Sequence, residues 1–278
     1  MVHNGIEYAE MQLLAEIYQF LKCSYSIEKI ISLFEEWNRG SLNSYLLEIT
    51  IKILKTKEGN DFLLEKILDK AANKGTGGWS SESSIKLGSV NSLMTASVFA
   101  RHLSSYKNQR IELSKLVTKT LKKTSIYSDS IKKAYSFSRL VNHIQGFQLL
   151  NSASEEYDWN LNLSEISRIW TNGCIIRSKL MEDLTSHLLI NNNLIENSAI
   201  NSFLLDTEFH VSSYLIDSIS NRIASPAFSS AYNYWIGMTT EKSPANLIQA
   251  QRDFFGAHTY QRNDDSCLNN YHTDWENT

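Results

Sequence analysis

Two prolines, Pro226 and Pro244, are all that interrupt 278 residues. Proline breaks a helix interior by removing a hydrogen bond and crowding the preceding turn, so a chain nearly free of it can form long helices. The apolar residues follow the same logic. Ile6, Leu13, Ile17, Phe20 and Leu21 recur at helical spacing, as do Ile27, Ile30, Ile31 and Phe34. No stretch holds a period of two, and no strand–glycine loop–helix unit occurs. The expectation is an all-α chain of about ten unequal helices. Residues 1–256 read as one large multi-helix domain, and residues 257–278, polar and aperiodic, as an extended tail. Phe62, Leu63, Ile67 and Leu68 predict a helical run, and further helices are predicted over 109–123, 130–156, 163–189, 208–221 and 226–238. Residues 74–79 read as a loop before a short helix capped by Ser80 or Ser81 and stopped at Gly88.

Composition removes several function classes. A net charge of −3 leaves no whole-chain basic footprint for nucleic acid. No apolar run approaches the ~20 residues of a membrane span, and the N-terminus carries no secretion signal. Cys23, Cys174 and Cys267 are odd in number and far apart, which suits a reducing cytoplasm and suggests neither disulfides nor a zinc site. His143, His187 and His210 lack ligand spacing and read as surface or core histidines.

The chemistry concentrates in the first helix. His3 and Glu7 are four apart, as are Asn4 and Tyr8, so all four lie on one helix face. On spacing alone, a surface pair is the simpler reading for His3 and Glu7. Gly75-Thr76-Gly77-Gly78 follows a helix and lacks dinucleotide-fingerprint spacing, so it reads as a plain turn. Arg101, among Ser97, Ser104 and Ser105, could equally pair with a helix end or bind an anion. Trp37, Trp79, Trp159, Trp170 and Trp235 read as packing residues.

Longer strings go beyond generic helix: MVHNGIEYAEMQLLAE, FEEWNRGSLNSYLLEIT, ILDKAANKGTG, SVFARHLSS, SASEEYDWNLN, GCIIRS, PANLIQAQRDFFGAHTY and HTDW. Together, from Met1 to Trp275, they resemble the C-terminal all-helical domain of 6-phosphogluconate dehydrogenase. The family enzyme belongs to the pentose phosphate pathway. It oxidises 6-phosphogluconate with NADP, bound on an N-terminal Rossmann domain, and decarboxylates the keto intermediate. It works as a homodimer whose C-terminal tail completes the partner's substrate site. The resemblance implies that His3 and Asn4 contact substrate and that Glu7 is the general acid protonating the enediol. It implies further that Tyr8 and Arg101 hold phosphate, and that Arg252 and His258 are donated across the dimer. Without it, Arg252 reads as an exposed helix residue and His258 as a tail residue of no consequence.

Three departures shape the expectation. No nucleotide-binding domain lies within this sequence, so no NADP is expected in the chain itself. The family's catalytic lysine precedes the methionine that is here Met1, and neither Lys22 nor Lys74 matches it. The family loop GTGKW reads GTGGW, placing Gly78 where a phosphate-binding lysine is expected. Losing one such contact costs about 1.5–3 kcal/mol. The implied function is a homodimeric sugar-acid-binding or scaffold pseudoenzyme. The alternative is part of an enzyme. Such a part would complete a separate Rossmann-domain protein, or would use Glu7 to decarboxylate or enolise a β-keto acid.

Overall fold

The computed structural model describes residues 1–72, 75–118 and 127–276. Twelve α-helices carry the fold among them, with almost no sheet. Contacts divide the chain into two units, Met1–Tyr234 and Trp235–Thr278, which are treated separately.

The first unit is built on α1 (Val2–Leu21). Its stripe Ile6, Ala9, Leu13, Ile17 and Phe20 is fully buried, as its spacing predicts. α2 (Ile27–Asn38) and α3 (Tyr45–Lys55) follow, capped by the hydroxyls of Ser26 and Ser44. The predicted helical run through Leu68 does not form. β1 (Lys57–Glu58) and β2 (Asp61–Phe62) make a two-residue hairpin over Gly59, and only a single 3₁₀ turn, Leu63–Lys66, comes after it. Ile67 and Leu68 stay exposed, so the periodic residues have no face to bury.

α4 (Thr76–Leu87) begins earlier than predicted, straight from Gly75 in the left-handed region, and stops at Gly88 as expected. α5 (Ser92–Ser104) and α6 (Lys107–Ser114) come next. The helix predicted over 109–123 ends at Ser114 in its described part; residues 119–123 lie outside the described residues. α7 (Ser128–Glu156) is the long central helix and packs on α1. The single helix predicted over 163–189 is two: α8 (Leu163–Trp170) and α9 (Lys179–Ile190). Gly173, with φ +68°, turns the chain between them, and Ser178 opens α9 by accepting from Met181 N–H at 3.1 Å. α10 (Ser198–Ser220) starts ten residues before the predicted position, because Asn197 caps it through the amides of Ala199 and Ile200. α11 (Pro226–Met238) has the expected bounds, and Glu16 of α1 accepts from its Ala227 and Phe228 amides at 3.0 and 3.3 Å.

The turns before α3 and α9 meet. Tyr45 N–H donates to the Arg177 carbonyl at 3.1 Å, and Lys179 N–H donates to the Asn43 carbonyl at 2.9 Å. This reciprocal pair centres on Ser44 and Ser178, the two caps. The sequences match around it: Trp37, Gly40, Ser44, Leu46 and Glu48 stand as Trp170, Gly173, Ser178, Leu180 and Glu182 do. One extra residue shifts the register between the two segments.

The second unit holds the end of α11, α12 (Ala245–Gly256) and the tail. The tail turns back on itself: Tyr260 and Tyr271 exchange backbone hydrogen bonds of 2.9 and 2.8 Å. Buried Asp253 holds it, accepting from Thr259 N–H, His272 Nδ1, Thr273 N–H and Trp275 Nε1 at 2.9–3.1 Å.

Candidate functional site

The start of α1 gathers what the sequence singled out. His3, Asn4 and Glu7 are half-buried, and Tyr8 is buried. Two close backbone approaches fix the frame. A Cβ on Gly77 would lie 2.4 Å from the Tyr8 ring, and a Cβ on Gly5 would lie 2.5 Å from Ser80 Oγ. Only glycine lets α4 lie this near to α1. That is a physical reason for the glycines in HNGIEY and GTGG.

Tyr8 carries Arg101 of α5 on its ring, with the guanidinium carbon 3.4 Å from the centroid. Burial pulls the Arg101 pKa down, while Tyr8 and Glu7 pull it up. A guanidinium remains charged under such a shift. Among the described residues no carboxylate lies in ion-pair range of Arg101, and Met11 Sδ, 3.4 Å away, is its hydrogen-bond partner. A stacked cation with no direct ion pair among the described residues is suited to a ligand anion.

His3 sets its Nδ1 3.2 Å from Asn4 Oδ1 and its ring edge-on to Trp170, 5.6 Å between centroids. Its Nε2 is buried and has no partner among the described residues. A ligand hydroxyl would satisfy it. Trp170 does pack, also against Phe147, but it additionally walls His3. Cys174 lies at the same junction and donates to the Trp170 carbonyl at 3.0 Å. Burial pushes its thiol up, and the Glu7 charge adds to that. The GCIIRS string therefore reaches the site through the α8–α9 turn. At Gly78 nothing lies within 4 Å of where a side chain would begin.

Arg252 and His258 belong to the second unit. Both are exposed: Arg252 donates to Gln249 Oε1 at 3.0 Å, and His258 stands edge-on to Phe255. A buried ionic group, not evident from the sequence, involves Glu10 of α1 and Arg139 of α7. Arg139 Nε donates to both oxygens of Glu10, at 2.8 and 3.0 Å, and His143 Nδ1 bonds to the Arg139 carbonyl at 2.8 Å. The clue was Glu10 itself, which sits on the apolar stripe four residues after Ile6. His187 bonds to Asn197 and His210 to Ser130, and among the described residues no three potential ligands gather for a metal.

The family model for 6-phosphogluconate dehydrogenase, C-terminal domain, matches residues 1–275. The decarboxylating 6-phosphogluconate dehydrogenase of Lactococcus lactis subsp. cremoris is 44% identical across 99% of this chain. That of Escherichia coli K12 is 41% identical across 99%. The chain spans about 60% of the length of these curated relatives. The solved 6-phosphogluconate dehydrogenase of Plasmodium falciparum superposes with a TM-score of 0.94 at 36% identity, over 99% of this chain and 61% of its own. It has been solved in its apo form, with NADP+, and with 6-phosphogluconate.

Proposed function

We propose, since this chain belongs to the 6-phosphogluconate dehydrogenase family and carries its C-terminal domain, that it binds a sugar acid at the start of α1. His3 and Asn4 would meet hydroxyls, and Glu7 would stand at the carboxyl end as the proton donor if chemistry occurs. Tyr8 and Arg101 would hold the far anionic end. The supporting observation is Arg101, stacked on Tyr8 with no carboxylate in ion-pair range among the described residues. One cation in place of two weakens the hold on a phosphate. The reading is therefore a sugar-acid-binding module that performs no hydride transfer within these 278 residues. Calorimetric titration tests it. Gluconate and 6-phosphogluconate should bind within about tenfold of each other, and Gly78→Lys should favour 6-phosphogluconate by about 1.5–3 kcal/mol, one to two decades. Strong preference for the phosphorylated acid without that lysine would overturn the reading.

We further propose a homodimer. Leu205, Phe209, Ile216 and Ile219 form an exposed apolar stripe along α10, each at least 60% accessible. Exposed Arg252 of α12 and His258 of the tail are the residues that would reach the partner's site.

That His3, Asn4 and Glu7 stand together at the start of α1 favours a second reading, part of an enzyme working with a Rossmann-domain protein. Mixing the two should then yield NADPH from 6-phosphogluconate, and Glu7→Gln should abolish it. A binding module would show neither effect.

A further inference from the structure

A cavity of about 240 Å³ opens between α7, α9, α10 and the α2–α3 connection. It shares no lining residue with the site at the start of α1. Its walls are mostly apolar, with Leu140, Leu184, Ile200 and Phe203 from the three helices. This is far more than the ~10–15 Å³ one ordered water needs. It is just under the ~300 Å³ at which pockets for drug-sized ligands begin.

One wall residue is out of keeping. Arg139 is only 1% exposed, yet it lines the cavity. Its Nε–H is committed to Glu10, and its Nη1 reaches the Leu42 carbonyl at 3.5 Å. No acceptor among the described residues takes its Nη2 hydrogens. A guanidinium carries five N–H donors, so Arg139, on the cavity wall, can still donate to an acceptor inside it.

We propose that this cavity binds a small uncharged carbonyl compound with a branched aliphatic or aryl body, its carbonyl oxygen accepting from Arg139 Nη2. Charge decides between ligand classes. Glu10 already neutralises Arg139, and Asp183 adds a carboxylate to the lining that is matched by Lys179 at 3.0 Å. A ligand carboxylate would meet Glu10 across the guanidinium with no free positive charge to hold it. A ligand cation would face Arg139 itself. A neutral acceptor matches the unmatched donor without adding charge.

The test uses the full chain, methyl-resolved NMR and two probes of matched shape, 4-methylpentanamide and 4-methylpentanoate. The amide should shift the methyls of Leu140, Leu184 and Ile200 saturably, with a Kd of about 1 mM, and the acid should bind at least about tenfold more weakly. Arg139 substitutions would strand buried Glu10 and endanger folding. Ala199→Phe, from the exposed start of α10, fills the cavity instead. It should abolish the shifts while leaving the Ile6 methyl resonance of the α1 core in place. Absence of amide binding, equal binding of the acid, or shifts that persist in Ala199→Phe would each overturn the proposal. So would shifts that follow protein rather than probe concentration, which would make a second copy of the chain the occupant.

Discussion

Tyr8 is held on two sides, by the backbone of Gly77 and by the guanidinium of Arg101. The ring cannot move away from one without disturbing the other. Gly77→Ala places a methyl 2.4 Å from ring carbons, so α4 or Tyr8 must shift. Overpacking of this kind costs about 1–3 kcal/mol. Thermal unfolding should show the loss, and ligand titration should show weakened anion binding. The adjacent Gly78→Ala, with nothing within 4 Å, should be close to neutral in both. Equal effects at the two glycines would contradict this account of the α1–α4 contact. At this scale the sequence was legible where a residue type has one physical purpose. The i, i+4 spacing of His3 and Glu7 put them on one face, and the resemblance supplied Arg101. What spacing could not supply was the stacking of Arg101 on Tyr8, which depends on two helices far apart in sequence. Glu10 and Arg139 stayed hidden for the same reason: each is an ordinary surface residue until its partner is known.

At the scale of elements, Glu16 ties α1 to the first turn of α11. Burial raises its pKa to about 7, against the lowering effect of the Ala227 and Phe228 amides and of Gln12. The folded state therefore holds a proton that the unfolded state has released. This contribution is full below about pH 4.5 and is lost as pH rises through about 7. Its size is about 3 kcal/mol. Glu16→Gln removes it. Denaturant unfolding at pH 5 and pH 7.5 should show the variant gaining on the wild type as pH rises, by up to about 3 kcal/mol. Parallel pH profiles would disprove the assignment. The helix boundaries followed the same division as the residues. Caps with local chemistry were readable, as at Gly88 and Pro226. The break between α8 and α9 was not, because its apolar period continues through Gly173 and only the reciprocal bonds between the Ser44 and Ser178 turns give the interruption a purpose.

At the scale of the molecule, the proposed homodimer would rest on the exposed α10 stripe. Phe209, 72% accessible, lies in its middle. Phe209→Glu would place a charge at the centre of the proposed interface, and sedimentation should show the mass halve. A wild-type monomer at micromolar concentration, or an unaffected dimer in the variant, would refute the dimer. The chain's membership of its family was legible from strings such as MVHNGIEY and QRDFFGAHTY, whereas an exposed face on one copy becomes meaningful only beside another. The Asp253 hub has a consequence for the tail. Burial alone would raise its pKa, but the donors from His272, Thr273, Trp275 and Thr259 hold it at about 2. One carboxylate thus fastens points spread along the whole tail. Losing any one of the donors from Trp275, Thr273, His272 or Thr259 leaves a buried carboxylate less satisfied, so each contact by itself opposes fraying of the tail.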